Sequence, residues 1–209
     1  MVKPGTPARG TLMNASSRTA SASVERLFLD RWSPRAFDAS PLPQTDLDIM
    51  FEAARWAPSA FNYQPWRFLY SHRDGADWAR FLDVLLPFNQ AWAGRASVIV
   101  IALSDTRIQS PSAAEPSPSR SHSFDTGAAW ALLALQATRL GYHAHGMTGL
   151  DFERAQAELD IPERFRIEAA IAIGRITEKS ILPEGLQARE VPSDRKPLDE
   201  FVFNGRFAA

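Results

Sequence analysis

The stretch APSAFNYQPWRF, residues 57–68, joins a predicted helix to a predicted strand and sets Ser59, Asn62 and Gln64 among prolines and aromatic side chains. Pro58 is expected to end the preceding helix, and PWRFLYS is typical of a strand. A side-chain amide both donates and accepts, which suits the edge of a flavin or a nucleobase. The same pattern fits the packed start of a strand, where the side-chain amides form hydrogen bonds with the backbone of the preceding loop. The stretch alone favours that second interpretation.

A second motif, RWSPRAF, begins at Arg31 and follows a short predicted helix. In an extended backbone, Arg31, Ser33 and Arg35 point to one side. Two guanidinium groups and a hydroxyl that converge on one spot match the oxygens of a phosphate. The motif alone favours a simpler alternative, in which the arginines pair with Asp30 and Asp38 at the surface.

A third motif, HGMTGLD at residues 145–151, places two glycines between a predicted buried helix and a predicted surface helix. Glycine lets the backbone approach a ligand closely, although a tight turn explains the motif equally well. Neither a G-x-G-x-x-G fingerprint nor a P-loop occurs in the chain. His143 and His145 alternate, but no third residue lies at a spacing typical of a metal site, so no metal is predicted.

The remaining sequence predicts a single folded domain of the α+β or α/β class. Residues 1–23 are rich in Ser, Thr, Ala, Gly and Pro and are predicted to be a disordered tail, with the domain at 24–209. Within the domain, 105–123 is predicted to be an exposed loop and 177–209 a C-terminal arm. Strands are predicted in PWRFLYS, ASVIVIALS and IEAAIAIGRI.

Five helices are predicted from apolar spacing: VERLFLDR with Ser23 as N-cap, TDLDIMFEAARW with Thr45 as N-cap, GADWARFLDVLL, FDTGAAWALLALQATRLG closed by Gly141, and DFERAQAELD. The fourth of these is apolar nearly all round. Such a helix is either central in the fold or shared with a partner chain.

The composition excludes several classes of function. The formal net charge is −1, which gives no electrostatic footprint for nucleic acid or an anionic membrane. The absence of cysteine excludes disulfides, thiolate catalysis and Cys-ligated metals. No apolar run approaches the roughly 18 residues of a membrane span, and no secretory signal follows Met1, so a cytoplasmic protein is expected.

Taken together, the motifs carry a resemblance that none carries alone. The pattern R-x-S-x-R-x-F, followed about twenty residues later by A-P-S-x-x-N-x-Q-P-W-x-F, resembles the nitroreductase family of FMN-dependent oxidoreductases. The order continues through FNQAWAGRAS, GMTGLD, an AIAIG strand and DRKPLDEFV, so the likeness covers residues 24–205. It implies a nitroreductase-like α+β fold with a mixed central sheet flanked by helices. It also implies an intertwined homodimer that exchanges C-terminal arms and binds FMN at its interface.

The resemblance further implies which residues hold FMN. Those around the phosphate, the ribityl chain and the pyrimidine edge are Arg31, Trp32, Ser33, Arg35 and Arg195. Those at the ring are Asn89 on the pyrimidine side and Gly146, Met147, Thr148 and Gly149, the last contacts running through backbone N–H groups to N5 and O4. Those that approach the flavin of the other subunit are Pro58, Ser59, Ala60, Asn62 and Gln64.

The implied reaction takes a hydride from NAD(P)H onto flavin N5 and passes it, in a ping-pong sequence, to a small acceptor such as a nitroaromatic, a quinone or an enone. No side-chain acid or base is expected to be essential, because the flavin performs the chemistry. Three residues depart from the family: Trp92 stands where many members have a lysine near N1 and O2, Thr148 where better-known members have a glutamate, and Ser193 where some have a second basic residue. We expect Arg35 to supply the positive charge near N1.

Two alternatives remain open. One is other chemistry on the same fold, such as an oxidase, a dehalogenase or an enzyme that fragments its own FMN. The other is a flavin-binding protein that does not turn over.

Overall fold

A computed structural model describes residues 17–109, 112 and 114–207 of the chain. Most of the predicted tail, up to residue 16, therefore lies outside the described residues. Seven α-helices occur in that part of the chain: α1 (Arg26–Asp30), α2 (Gln44–Arg55), α3 (Trp78–Asp83), α4 (Pro87–Ala93), α5 (His122–Arg139), α6 (Phe152–Glu158) and α7 (Glu184–Gln187). Its strands are β1 (Trp66–His72), β2 (Val98–Asp105), β3 (Arg107–Ile108), β4 (Ser117–Pro118), β5 (His143–Met147) and β6 (Phe165–Gly174).

The centre of the fold is a four-stranded sheet in the order β1, β2, β6, β5. All three strand pairings are antiparallel. The α+β class predicted from the sequence is confirmed, because helices pack on both faces of this sheet. The mixed sheet that the resemblance implies is not formed within the described part of one chain, since it contains no parallel pairing.

Helices cover both faces of the central strand β2, which is why every position in it is buried. Val98, Val100 and Ala102 pack in a core with residues of α2 and α5. Ile99, Ile101 and Leu103, which alternate with them, pack in a second core with residues of α3, α4 and α6. The near-continuous β-branched run in the sequence is therefore explained, as predicted, by burial on both sides.

One stripe of α5 faces away from these cores. Ala129, Leu133 and Ala137 are fully buried against the sheet. Phe124 is 82% exposed, and Gly127 and Ala131, which follow at helical spacing, are exposed as well. The helix is thus apolar both where it is buried and where it faces solvent, and the described chain leaves the second face uncovered.

Several local predictions are corrected by the structure. Helix α2 begins at Gln44 with Pro43 as its N-cap rather than Thr45, and α1 has Glu25 at its N-cap rather than Ser23. Neither α4 nor β5 is among the elements that the sequence predicts. The described residues of 105–123, predicted to be a loop, include the short antiparallel pair β3–β4 and the start of α5. Gly141 closes α5 with a φ of +82°, as predicted.

After α7 the chain runs on with little regular structure and large apolar side chains at its surface. The exposed ones are Val191, Leu198, Phe201, Val202 and Phe207. Among the described residues, no helix combines the length and the hydropathy needed to cross a bilayer.

Candidate functional site

Five arginines line one cavity of about 340 Å³: Arg18, Arg31, Arg35, Arg189 and Arg195. Trp32, Ser33, Ser193, Val191 and His145 complete its wall. The Arg31 Nη1 donates to the Ser33 Oγ at 3.2 Å, so these two side chains do lie on one side of the backbone. Every residue predicted around the phosphate and the ribityl chain is therefore present in one cavity.

Arg31 and Arg35 do not pair with Asp30 and Asp38, the alternative that the motif alone favours. Asp30 pairs with Arg26 at 2.8 Å, and the Asp38 carboxylate accepts from the Ser40 backbone N–H. Arg35 instead lies 3.8 Å from the buried carboxylate of Glu190.

Glu190 fixes the backbone on which the arginines stand. Its Oε1 accepts from the backbone N–H groups of Arg35 at 2.6 Å and Ala36 at 2.8 Å. Glu190 is only 8% exposed, so these charge-assisted bonds lie in a setting where losing them is costly. The segment after α7 is thereby joined to the RWSPRAF loop, and the cavity has walls from both ends of the domain.

The arginines that line the cavity place several positive charges close together. Burial first, then the charges of Arg195 and Arg18, lower the pKa of Arg31. Burial also lowers the pKa of Arg35, with the charge of Glu190 acting in the opposite direction and that of Arg189 in the same one. All remain protonated at neutral pH, and a bound anion would relieve their repulsion. The cavity is therefore suited to a phosphate group.

His145 forms the wall between the arginines and the core. Its Nδ1 lies 2.9 Å from the Pro34 carbonyl oxygen, so Nδ1 carries the proton that is donated there. Burial, outweighing this bond, lowers the pKa of His145 to about 4, and the ring is neutral at pH 7. Its ring centroid lies 4.7 Å from that of Trp92. Sequence reasoning missed His145 as a residue of this cavity, since its alternation with His143 on an unpredicted strand gave no signal.

Trp92, the departure from the family's lysine, is a core residue. It is 1% exposed, and its Nε1 donates to the Asn89 Oδ1 at 3.3 Å. The Arg35 guanidinium carbon lies 6.0 Å from the Trp92 ring centroid. Arg35 therefore brings a positive charge close to this position.

Asn89 lies behind the Thr148–Gly149 backbone. Its Nδ2 donates to the Gly149 carbonyl oxygen at 2.9 Å while its Oδ1 accepts from Trp92. A Cβ on residue 149 would overlap the Asn89 amide, so glycine is required by this close approach. Besides the contact expected with a flavin, Asn89 thus also holds the loop that follows β5.

Thr148 lines a second cavity, of about 380 Å³, with Phe152, Gln156, Arg166, Ile167 and Glu168. Thr148 follows His145 by three positions along the chain, which corresponds to about 10 Å of extended backbone. Gly146 and Met147 lie between the two cavities on the edge strand β5. Gly146 is packed tightly, because a Cβ there would come within 3.1 Å of the Trp130 ring.

The stretch 57–68 lines neither cavity and begins with an exposed turn. Phe61 and Asn62 have φ values of +51° and +56°, and Gln64 has +52°. The turn is held from within, since the Ser59 Oγ accepts from the Gln64 backbone N–H at 3.0 Å. It is held from α5 as well, where the Asp125 carboxylate accepts from the Ala60 N–H at 3.2 Å.

Phe61 is a large apolar residue, yet its side chain is 91% exposed. Pro58, Asn62 and Gln64 are exposed beside it, and Ser59 and Ala60 are half-buried. The residues predicted to approach the flavin of another subunit thus protrude from the chain in a hydrogen-bonded turn and do not line its own arginine cavity.

Comparison with known proteins agrees with this geometry. The model of the nitroreductase family matches residues 29–89 and 77–175. A solved structure described as an oxidoreductase containing FMN is 52% identical, with a TM-score of 0.90, and the match covers 94% of this chain and 98% of that one. An NADH dehydrogenase of Thermus thermophilus is 29% identical over 203 residues, which cover 83% of this chain and 92% of that protein. A nitroreductase family protein of Streptococcus pneumoniae has the same fold, with a TM-score of 0.68 at 23% identity, covering 85% of this chain and 98% of its own. The chain belongs to the nitroreductase family.

Proposed function

We propose that this chain is an FMN-dependent oxidoreductase that accepts a hydride from NAD(P)H and reduces a small acceptor such as a nitroaromatic, a quinone or an enone in a ping-pong sequence. The observation that carries the proposal is the cavity in which Arg31, Ser33, Arg35 and Arg195 converge. Its crowded like charges favour an anion, and the FMN phosphate is a dianion of the kind that arginine forks bind.

In this proposal, each part of FMN would contact a different group of residues along the walls. Arg31 and Arg195, with Ser33, would hold the phosphate. The edge strand β5 would lie under the ribityl chain and the ring, because Gly146 and Met147 stand between the arginine cavity and Thr148. The backbone N–H groups of Thr148 and Gly149 would meet the ring edge, held in place by Asn89.

When bound, FMN would supply the acceptance and release of the hydride, and the chain would orient it and tune its potential. Arg35 would stabilise negative charge at the pyrimidine edge, since Trp92 supplies no positive charge there. Neutral His145 donates its Nδ1 proton to the Pro34 carbonyl oxygen, so that proton is not available for transfer to a substrate. No side-chain acid or base is proposed to be essential, because the flavin would perform the chemistry.

The active species in this proposal is a homodimer with FMN at the interface. Three apolar surfaces support it: the outer stripe of α5, the Phe61 turn, and the segment after residue 190. Large exposed apolar side chains such as Phe61, Phe124 and Phe201 often mark a protein interface. The Phe61 turn would reach the flavin of the second subunit, and the C-terminal segment would exchange between chains. The cytoplasm, expected from the sequence, is the proposed location.

The proposal is tested with the purified protein, its visible spectrum, and addition of NADH or NADPH without air. We expect a yellow protein that bleaches with a nicotinamide and regains colour with a nitroaromatic or a quinone. A colourless protein that takes up no FMN would contradict cofactor binding. A yellow protein that neither nicotinamide bleaches would contradict the reductase activity and favour a flavin-binding protein without turnover.

Variants of the arginine cavity test how the cofactor is held. Replacing Arg31 or Arg35 with alanine should weaken FMN binding by roughly 10- to 100-fold, the value of a charge-assisted hydrogen bond. The matched control is Arg80→Ala, because Arg80 is exposed and pairs with Asp77, at 3.2 Å, at the start of α3. FMN affinity that responds equally to all three variants would show that the cavity is not the phosphate site.

A further inference from the structure

Arg18 precedes the likeness to the family, which begins near residue 24, and falls in the segment that the sequence predicts as a tail. Its side chain nevertheless lines the arginine cavity together with Arg31 and Arg195. Its Nη1 donates to the Arg31 carbonyl oxygen at 2.9 Å and to the Leu29 carbonyl oxygen at 3.4 Å. The segment before α1 is therefore attached to the end of that helix through this guanidinium.

Three guanidinium groups meet at this end of the cavity. Burial, followed by the charge of Arg195, lowers the pKa of Arg18, and Asp194 partly offsets this. The charge of Arg18 in turn contributes to lowering the pKa of Arg31. Glu190 pairs with Arg35 at the other end, so its carboxylate is already engaged there.

We propose that Arg18 is a phosphate-binding residue and that residues 17–23, which carry it, close the phosphate end of the cofactor site. The inference rests on the proposed binding of FMN and deepens it by adding a residue outside the family motif. A phosphate dianion has three terminal oxygens, and a third guanidinium completes a shell that Arg31 and Arg195 begin. The hydrogen bonds from Arg18 to Leu29 and Arg31 set its position before the anion binds.

The first experiment compares FMN with riboflavin, which lacks the phosphate. Arg18→Ala should weaken FMN binding about 10-fold, as measured by quenching of flavin fluorescence, and should leave riboflavin binding unchanged. Arg18→Lys should lose less, because it keeps the charge but not the fork. The control is Arg26→Ala, since Arg26 lies on the nearby helix and bonds Asp30.

A second experiment needs no variant. Trypsin cuts after arginine, so the bond between Arg18 and Thr19 reports directly on this side chain. FMN or inorganic phosphate should slow that cut in the wild-type protein several-fold, and riboflavin should not. This readout does not depend on activity or on how well a variant folds.

The outcomes separate the inference from the function on which it rests. Wild-type protein that binds no FMN overturns both. FMN binding that Arg31→Ala weakens and Arg18→Ala does not, with a tryptic cut that phosphate leaves unchanged, overturns the role of Arg18 alone. Equal losses of FMN and riboflavin affinity in Arg18→Ala would also overturn it, because that residue would then support the fold and not the phosphate.

Discussion

The packing of Gly149 against Asn89 allows a sharp prediction for Gly149→Ala. The added methyl group would overlap the Asn89 amide and displace it. The displaced amide would no longer donate to the Gly149 carbonyl oxygen, which removes about 1 kcal/mol, and would leave the buried Trp92 N–H without its acceptor, which costs about 1–3 kcal/mol. Alanine recovers about 0.4–1 kcal/mol through the unfolded chain. We expect a net loss of about 2 kcal/mol, or roughly 4–8 °C in Tm.

The assay is thermal and urea unfolding at fixed protein and FMN concentrations, because both dimerisation and cofactor binding shift apparent stability. Gly185→Ala is the matched control, since no atom lies within 4 Å of a Cβ at that position. It should be neutral or slightly stabilising. FMN affinity should fall in Gly149→Ala and stay constant in the control, because only the former moves the loop after β5.

A double-mutant cycle with Asn89→Ala isolates the contact. Without the Asn89 amide there is nothing for the new methyl group to displace, so adding Gly149→Ala should be neutral or should stabilise the protein by up to about 1 kcal/mol. Two results would refute the reasoning: a Gly149→Ala variant as stable as Gly185→Ala, or a loss that persists in full when Asn89 is absent.

Three further predictions concern other parts of the site. Burial lowers the pKa of both His143 and His145 from the model-peptide value of 6.5 to about 4, so the folded state resists their protonation. The free energy of unfolding should be highest above about pH 6.5 and should fall as the pH drops toward about 4, by on the order of 2–3 kcal/mol for each ring. Urea titrations at about pH 7 and about pH 5 should show this fall, and His143→Asn should make it smaller. Glu190→Ala should lower the free energy of unfolding by about 2–4 kcal/mol, because two backbone N–H groups lose their acceptor, and Glu190→Gln should lower it less. Urea denaturation measures both losses; an unchanged stability in Glu190→Ala would mean that water replaces the carboxylate. Phe61→Gly relieves a left-handed backbone but should weaken the proposed dimer roughly 10-fold or more, as measured by sedimentation, because apolar contact is lost; an unchanged dissociation constant would place Phe61 outside the interface.

The convergence of Arg31, Ser33 and Arg35 was one of two interpretations that RWSPRAF allowed, because alternation depends only on local backbone geometry. Arg195 entered only through the resemblance. The strand β2 was predictable, since burial on both faces leaves a continuous β-branched run. The N-cap of α2 was not, because capping preferences favour Thr45, whereas the N-cap is Pro43, whose side chain makes no capping hydrogen bond.

Residues whose position depends on distant contacts escaped prediction. Arg18 resembles part of a polar tail until the carbonyls of Leu29 and Arg31 are brought beside it. Glu190 and His145 gave no local signal, since their partners lie far away in sequence. Strand β5 is short and carries two histidines and a glycine, so its extended form comes from pairing with β6 and not from its own propensity.

The bond between Glu190 and the Arg35 backbone joins residues 155 positions apart along the chain. Closing so long a loop is slow compared with forming a helix or a hairpin, and it requires that nearly all of the intervening chain exist. On the ribosome, the arginine cavity therefore remains open until Glu190 has been synthesised. FMN would join a nearly finished fold and could not act as a template for its early steps, and its uptake would mark a late stage of maturation.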